Sequence, residues 1–317
     1  MAASCELFVG IDVGGTSVKE GLFTREGELL GKVSVPTPAL VDETGYAAVT
    51  GGIEQLLSQA QAPVESLRGV GLAVPCPVPA DGNVQMMANI SLDFPGLRAA
   101  LSAAFPHAAI CFANDANAAA MGELWQGSAR GARNMVLVTI GTGVGGGVVM
   151  DGNVVAGVHG AGGEIGHLCM NPHETRACGC GNHGCLEQYS SATGVVNNYL
   201  KECEKRGVEP IELSGPSDSR SVFEACRKGD EVALSAADTM ARYLGRALAL
   251  VGAIVDPEAY VIGGGASASA DVYLDKVRSY YNECAISVER NVPIEVAELG
   301  NDAGIIGAAY VALKATE

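Results

Sequence analysis

Basic residues and aromatic side chains are both scarce in this sequence. The 317 residues include 20 Lys and Arg against 36 Asp and Glu, a formal net charge of −16 at pH 7, and aromatic residues make up 5% of the chain. Nucleic acids and anionic membranes are bound through clustered basic residues, so neither is expected as a main partner. A small phosphorylated ligand is not excluded, because it needs only a few local donors.

Secretory signals and long apolar runs are also missing. The first segment, MAASCELFVGID, has no basic start, and no run of 18 apolar residues occurs in the chain. Ten cysteines without a signal peptide are expected to be reduced thiols, some of them bound to a metal. We therefore expect a cytoplasmic protein.

Glycine, in contrast, is abundant, and it marks two segments built on one plan. The chain has 42 glycines and is 48% apolar, with a length that allows two moderate domains. Residues 7–23, LFVGIDVGGTSVKEGLF, and residues 135–152, MVLVTIGTGVGGGVVMDG, each consist of an apolar strand, a turn rich in Gly and Thr, and a second strand. Such turns present several N–H groups to phosphate oxygens. The sequence predicts an α/β protein with two related lobes.

The second turn also matches the glycine spacing of a dinucleotide-binding fold, at Gly141, Gly143 and Gly146. That fold needs a helix directly after the turn, so that the helix N-terminus faces the pyrophosphate. Here a strand-like run follows, GVVM, so we reject this interpretation. No Walker-type loop occurs in the chain either.

The remaining pattern predicts further helices and strands. Predicted helices cover residues 44–59, the segment beginning NDANAAAMGELW, residues 231–255 and residues 302–313, and predicted strands cover residues 69–74, 109–113 and 259–262. The long helix is expected to stop at Asp256-Pro257. Residues 207–221 are polar and predict a surface loop.

The segment GGEIGHLCMNPHETRACGCGNHGCLE, residues 162–187, holds a candidate metal site. Its proposed ligands are His167, Cys178, Cys180 and Cys185, and two carboxylates, Glu164 and Glu187, flank them. One imidazole and three thiolates complete a tetrahedral zinc site with no position open for water, which is typical of a structural metal. The chemistry is therefore expected beside the zinc loop and not on the ion.

Alternatives to this ligand set stay open at the sequence level. A disulfide competes with the metal, and His173, His183 and Cys169 lie in the same loop as possible substitutes. Burial of these thiols in an apolar core is disfavoured, because their neighbours are Gly, Asn, His and Arg.

Candidate catalytic groups lie at the turns and at one junction between a strand and a helix. Asn114 and Asp115 either cap this helix or, as side chains beyond the carboxyl end of a strand, contact a ligand. Asp12 either forms the first turn or binds magnesium through water. Thr16, Lys19 and Thr142 would add donors beside the same phosphates. Together these parts describe phosphoryl transfer to a hydroxyl that a carboxylate orients.

Five motifs together resemble the ROK family of sugar kinases and sugar-responsive repressors. They are DVGGTSVKEGLF, NDANAAAMGE, GTGVGGGVV, GGEIGH and CGCGNHGCLEQYSSATG. The resemblance extends from about Leu7 to the end of the chain. It implies a two-lobed actin-like ATPase fold of the hexokinase and ribonuclease H-like type, with ATP, Mg²⁺ and a hexose bound in a cleft and a structural Zn²⁺ beside it.

The resemblance also implies a role for individual residues. Asp115 would be the base for the hydroxyl at carbon 6 of the sugar. The sugar-contacting residues would be Asn89, Asn114, Asp115, Glu164, His167 and Glu187. The nucleotide site would comprise Asp12, Gly14, Gly15, Thr16, Lys19, Thr142, Gly143, Gly264 and Gly265. His167 would place one ring nitrogen on zinc and the other on the sugar.

The expected lobes are residues 1–113, joined by the last helix at about 302–317, and residues 114–301. Glucose is the expected acceptor, with mannose, fructose, allose and N-acetylated hexoses as alternatives. Cys76 stands where many members of the family have Gly, which affects the choice of sugar more than the reaction. A transcriptional regulator of this family is disfavoured because the first strand begins at about Leu7, which leaves no room for a DNA-binding domain. A non-catalytic sugar-sensing regulator is a further alternative, disfavoured because Asp115 and both phosphate turns are intact. A dimer or tetramer is common in the resembled family.

Overall fold

The computed structural model describes residues 6–79 and 92–317, in which two mixed β-sheets are each covered by helices. The first sheet has the strand order β3-β2-β1-β4-β5. Its strands are β1 (Leu7–Val13), β2 (Ser17–Thr24), β3 (Leu29–Pro36), β4 (Leu67–Val74) and β5 (Ala109–Asn114). β1, β2 and β3 are antiparallel, and β4 and β5 continue from β1 in parallel. The hairpin predicted at residues 7–23 is confirmed.

Helices cover both faces of this sheet, because its central strands β1 and β4 are apolar on both faces. Helices α1 (Glu43–Gln59) and α2 (Phe94–Ala104) pack on one face, over a core that includes Val9, Ile11 and Leu72. The last helix, α9 (Ala303–Lys314), packs on the other face against Phe8 and Phe23. The predictions of helices at 44–59 and 302–313 are confirmed to within a residue at each end.

The second sheet has the order β10-β9-β6-β7-β8. Its strands are β6 (Met135–Ile140), β7 (Val144–Met150), β8 (Asn153–Val154), β9 (Ala259–Gly263) and β10 (Ile294–Val296). β6 and β7 form the second predicted hairpin, and β9 pairs in parallel with β6 and β10. The run GVVM is therefore strand, which agrees with the rejection of a dinucleotide fingerprint.

The helices beside the second sheet form the largest core. They are α4 (Glu187–Ser190), α5 (Ala192–Arg206), α6 (Ser219–Arg227), α7 (Glu231–Val255) and α8 (Ala270–Cys284). The bounds predicted for the long helix α7 are confirmed, and it ends at Asp256 in a left-handed conformation. The predicted loop at 207–221 is wrong at its end, because Asp218 caps α6, which begins at Ser219.

Two segments connect the sheets. Helix α3 (Asp115–Gln126) follows β5 of the first sheet and leads to β6 of the second, and residues 297–302 return from β10 to α9. The two helices α3 and α9 cross in close contact, because each has a glycine that faces the backbone of the other helix. A Cβ on Gly122 would lie 2.6 Å from the carbonyl oxygen of Ala303, and a Cβ on Gly307 would overlap Ala118. The division into lobes at residue 113 stays our proposal. In the described ranges, no helix combines the length and apolarity needed to cross a bilayer.

Candidate active site

A cavity of about 660 Å³ lies between the two sheets. It brings together many of the predicted residues: Asp12, Lys19, Asp115, Thr142, Gly143, Glu187, Gly264 and Gly265. Gly14, Gly15, Thr16, Asn114, Glu164 and His167 are not among the residues that line it. Asn89 lies outside the described residues. One cleft thus holds both candidate carboxylates and the second glycine turn.

Asp115 is the first residue of α3, and Asn114 is its N-cap. The Asn114 Oδ1 accepts hydrogen bonds from the amides of Ala116 and Asn117 at 3.0 and 3.2 Å, and its Nδ2 donates to the carbonyl of Cys76 at 3.3 Å. The capping interpretation of Asn114 is therefore confirmed. The cap directs the next side chain, Asp115, into the cleft.

The side chain of Asp115 is exposed to the cleft, and the protein around it partly desolvates its carboxylate. This desolvation raises the pKa of Asp115, against hydrogen bonds from the amides of Ala116 and Asp115 and from Asn114, which lower it. A raised pKa makes this carboxylate a better proton acceptor than a solvated aspartate. The position and the pKa shift both suit a general base.

Asp12, at the end of β1, is the second carboxylate of the cleft. Its Oδ2 lies 3.9 Å from Nζ of Lys19 on the adjacent strand β2. Burial raises the pKa of Asp12, the charge of Lys19 lowers it, and the charge of Asp115 raises it. The two carboxylates are therefore close enough to interact, and a cation between them would relieve the repulsion.

Lys19 also donates from Nζ to the backbone carbonyl of Asn301 at 3.2 Å. Asn301, Gly300 and Gly304 line the cleft at the start of α9. This group could not be predicted from the sequence, because Lys19 and Asn301 are 282 positions apart and share no local pattern. The only local signal was the run GNDAG before the last helix.

The first glycine turn connects β1 to β2. The Gly14 amide donates to the carbonyl of Ser17 at 3.0 Å, and the carbonyl of Thr16 accepts from Thr37 at 3.2 Å. Gly15 and Thr16 are exposed. The phosphate contacts predicted for Gly14, Gly15 and Thr16 stay predictions.

The second glycine turn is held in place by the start of α5. The carbonyl of Gly141 accepts from the amide of Ala192 at 2.8 Å, and that of Thr142 accepts from the hydroxyl of Thr193 at 2.9 Å. Because these carbonyls are tied to the second sheet's helices, the turn is fixed in the cleft wall. Thr142 itself is exposed.

Gly264 follows β9, beside the second glycine turn, because β9 pairs with β6. Its φ is +80°, and an added Cβ would lie 2.5 Å from the carbonyl oxygen of Ile140. Only glycine fits such a position without strain. The neighbouring Gly265 has no atom within 4 Å of its hypothetical Cβ, so it leaves open space beside the cleft.

The four predicted metal ligands lie together. Donor atoms of His167, Cys178, Cys180 and Cys185 are all within 4.8 Å of one another. The Sγ atoms of Cys180 and Cys185 are 3.7 Å apart, and Nδ1 of His167 is 3.8 Å from Sγ of Cys178. Tetrahedral zinc with Zn–S bonds of about 2.3 Å places neighbouring sulfurs about 3.8 Å apart. The residues therefore fit zinc by type and by spacing.

The alternatives considered for this loop are not supported. A sulfur separation of 3.7 Å is far longer than a disulfide bond of about 2.05 Å. Within the described residues, His173, His183 and Cys169 are not part of the cluster. Cys169 instead lies 3.6 Å from the carbonyl of His183.

His167 and Glu187 connect this cluster with the cleft. The ring of His167 has Nδ1 3.9 Å from Oε1 of Glu187 and Nε2 3.9 Å from Oε2 of Glu164. One nitrogen therefore faces the thiols and the other faces outward, toward a partly exposed carboxylate. This arrangement suits the double role predicted for His167. Glu187 begins α4 and lines the cleft.

A partly buried hydrogen-bond network connects the zinc loop to the helices of the second sheet. The hydroxyl of Tyr189 donates to Glu174 at 2.8 Å and accepts from Asn171 at 2.9 Å, and Arg176 donates to Glu174 at 2.9 Å. Arg176 holds the pKa of Glu174 well below its usual range. Tyr189 stacks on Tyr243 of α7 at 4.0 Å between ring centroids. The loop is thus attached to the core of the second sheet.

Two sheets joined by crossing helices, with a ligand cleft between them, define a kinase of the actin-like ATPase class. The profile of the ROK family matches residues 8–315, and the chain belongs to this family. A glucokinase of Halalkalibacterium halodurans is 37% identical over 315 residues, covering 96% of this chain and 94% of that protein.

Two solved structures of ROK proteins are also similar to this chain over nearly its whole length. The ROK hexokinase of Thermus thermophilus has a TM-score of 0.80 and 33% identity, over 98% of this chain and 99% of that one. A ROK glucokinase of Streptomyces griseus, solved with glucose and AMPPNP, has a TM-score of 0.74 and 28% identity, over 97% and 99% of the two chains.

Proposed function

We propose that this protein transfers the γ-phosphoryl group of ATP to the hydroxyl at carbon 6 of glucose, with Asp115 as the general base. The observation that carries the proposal is the position of Asp115, at a helix start in the same cleft as Asp12, Lys19 and the second glycine turn. Glucokinases over nearly the full chain length, and a relative solved with glucose and AMPPNP, support the acceptor and the donor.

In the proposed reaction, Asp115 accepts a hydrogen bond from the sugar hydroxyl and then takes its proton. The sugar oxygen forms a bond to the γ-phosphorus, the bond from that phosphorus to the bridging oxygen breaks, and ADP leaves with the electron pair. The transition state is loose, so most of the catalysis comes from positioning and charge stabilisation. Lys19 and the amides of the turn at Thr142 and Gly143 stabilise negative charge on the phosphates.

Magnesium would neutralise charge on the phosphates, and Asp12 is the residue proposed to hold it through water. Its carboxylate faces the cleft beside Lys19, and burial raises its pKa, so a nearby cation would restore its ionised form. Gly264 and Gly265 are proposed to pass close to the adenosine, because both line the cleft beside the second turn.

Zinc would be held by His167, Cys178, Cys180 and Cys185 and would fix the orientation of the imidazole. The remaining sugar hydroxyls are proposed to form hydrogen bonds with Nε2 of His167, Glu164 and Glu187. Nδ2 of Asn114 is proposed as a further donor. Asn89 is kept as a proposed sugar contact from the sequence alone. A homo-oligomer also stays a prediction.

A coupled ADP-release assay over a panel of hexoses tests the function. Glucose is expected to give the highest kcat/KM against mannose, fructose, allose and the N-acetylhexosamines, with ATP compared with polyphosphate as donor. Tight sugar binding without ADP release would favour the sugar-sensing alternative. Highest activity with another hexose would change the proposed acceptor sugar and leave the proposed reaction as it is.

The Asp115→Asn variant tests the base. We expect kcat to fall by about 10²–10⁴-fold, with glucose binding by calorimetry retained, because the amide keeps the shape of the carboxylate. Asp271→Asn is the matched control, since Asp271 also lies in the first turn of a helix but pairs with Arg227 on the surface. Full activity of Asp115→Asn would refute the assignment.

A further inference from the structure

Glu123 is a fully buried carboxylate in the third turn of α3, with 0% of its surface exposed. Its Oε2 accepts hydrogen bonds from the amide and hydroxyl of Ser128, at 2.9 and 3.1 Å, and from the amide of Glu298, at 3.2 Å. Its Oε1 accepts from the amide of Leu299 at 3.0 Å. Three backbone amides and a hydroxyl therefore donate to one carboxylate. Removing this acceptor would leave buried donors without partners, which costs free energy of folding.

These amides belong to the two segments that connect the sheets. Ser128 lies in the segment that leads from α3 to β6, and Glu298 and Leu299 lie in the segment that returns from β10 to α9. Position 127 has no room for a side chain, because a Cβ on Gly127 would overlap the Glu123 carboxylate. One carboxylate thus fixes the position of both connections where they pass each other.

The returning segment continues directly into the cleft. Gly300 and Asn301 line it, and the carbonyl of Asn301 accepts the hydrogen bond from Lys19. The position of that carbonyl depends on Leu299, two residues before it, which Glu123 holds. Glu123 is itself among the residues that line this cleft.

We propose that Glu123 is a positioning residue that fixes both connections between the sheets and thereby keeps Lys19 and the start of α9 in place for the nucleotide phosphates. Its kinetic readout rests on the proposed kinase function. Asp115, proposed to act on the sugar, lies at the opposite end of α3 from Glu123, and the other sugar-contacting residues within the described chain are Asn114 and residues of the zinc loop, none of which belongs to the segment before α9. Loss of Glu123 is therefore expected to affect the nucleotide more than the sugar.

The Glu123→Gln variant distinguishes a role of the Glu123 side chain as a hydrogen-bond acceptor from a role in packing alone. Glutamine has the same shape but one acceptor oxygen, and its NH₂ group can only donate. If the oxygen stays with Ser128 and Glu298, the NH₂ group faces the Leu299 amide, donor against donor. The substitution therefore releases the segment before α9 and leaves the packing of α3 almost unchanged. Glu123→Ala removes all four hydrogen bonds and is the more severe variant.

Hydrogen exchange measured by mass spectrometry tests the structural part without any activity. In Glu123→Gln, peptides that contain Leu299 are expected to exchange faster than in the wild type, and peptides of α5 are expected to be unchanged. Glu289→Gln is the matched control, since Glu289 is a buried carboxylate, 2% exposed, outside both connections. Equal protection of Leu299 in the wild type and in Glu123→Gln would overturn the proposal, whether or not the protein phosphorylates glucose.

Kinetics and binding test the functional part. In Glu123→Gln, kcat/KM for ATP is expected to fall about tenfold, since small displacements of positioned groups cost rate steeply. The Kd for glucose, measured by calorimetry, is expected to stay within about twofold. A loss of glucose affinity equal to the loss for ATP, or an unchanged kcat/KM for ATP, would contradict it. If the wild type itself does not phosphorylate glucose, the proposed function fails and the exchange result still decides the role of Glu123.

Discussion

Sγ of Cys178 lies 2.9 Å from Oε1 of Glu187, a contact that is a hydrogen bond when the thiol carries its proton. The other oxygen of the same carboxylate faces the second glycine turn, where a Cβ on Gly143 would lie 2.7 Å from Oε2. A single side chain therefore contacts both the candidate metal cluster and the turn that lines the cleft. A change in the cluster is expected to reach the proposed sugar site through Glu187.

Loss of one thiol of the cluster is expected to release zinc and weaken sugar binding. Cys180→Ser is the suitable variant, because Cys180 is exposed and its replacement disturbs the least packing. Zinc measured by elemental analysis should fall from about one ion per chain, and KM for glucose should rise by about tenfold or more, as is common when the support of a site is lost. The ATP site is expected to change less.

Cys169→Ser provides the control for this experiment. Cys169 is also an exposed thiol of the zinc loop, but it is not part of the cluster. It should keep both zinc and glucose affinity. A native protein purified without zinc, or equal zinc loss in both variants, would count against the ligand assignment.

The pH dependence of the reaction is expected to report the raised pKa of Asp115. Burial moves the pKa of Asp115 above its ordinary value of 3.8, and the base works only when ionised. Activity should therefore rise with pH on the acid side, and the midpoint should lie above that of a solvated aspartate. The profile of kcat/KM for glucose measures this midpoint in the free enzyme. A profile that stays flat down to about pH 4 would exclude Asp115 as the base.

Sequence patterns predicted those parts of the molecule that depend on local chemistry. The two hairpins were predicted because glycine turns separate apolar strands, and the long helix because Asp256-Pro257 ends its periodic pattern. The grouping of His167 with three thiols was predicted because all four residues lie within one short loop. The capping role of Asn114 followed from its position between a strand and a helix.

Contacts between distant segments could not be predicted in this way. Glu123 is an ordinary helix-forming residue in the sequence, and its role comes from amides at residues 298 and 299, far along the chain. The same is true of the hydrogen bond from Lys19 to Asn301. Burial of Glu20 was missed as well, because β2 has a charged residue where the helix α1 covers the sheet.

Glu20 is expected to make the stability of the protein fall as pH rises. It is 1% exposed, neither of its carboxylate oxygens has a hydrogen-bond partner among the described residues, and burial raises its pKa to about 8. The folded state therefore holds a proton that the unfolded chain releases above its ordinary pKa of 4.5. The contribution is fully present below that value and is lost as pH rises through about 8.

The Glu20→Gln variant removes this titration. Its free energy of unfolding, from urea melts between about pH 5 and about pH 9, should vary less than that of the wild type by a few kcal/mol, since one pKa unit corresponds to about 1.4 kcal/mol. Glu54→Gln, an exposed position on α1, should follow the wild type. A parallel decline in wild type and Glu20→Gln would mean that another group causes the pH dependence.

Alanine substitutions at two adjacent glycines beside the cleft, Gly264 and Gly265, are expected to change the free energy of unfolding by different amounts. Gly264 has a φ of +80° and lies against the backbone of Ile140, whereas Gly265 has open space at its Cβ position and no positive φ. Gly264→Ala should lower the free energy of unfolding by at least about 1 kcal/mol, because alanine is strained in that conformation. Gly265→Ala should leave it almost unchanged, since nothing near it has to move.

Thermal unfolding of the two variants checks this difference. Gly264→Ala should melt at least about 2 °C below the wild type, and it should also raise KM for ATP, because any relaxation moves the turn between β9 and α8 that lines the cleft. A smaller rise in melting temperature on adding nucleotide than in the wild type would show that the substitution also weakens the nucleotide site. Equal melting temperatures for the two variants would mean that the turn accepts a side chain at 264, and the close contact with Ile140 would then not constrain it.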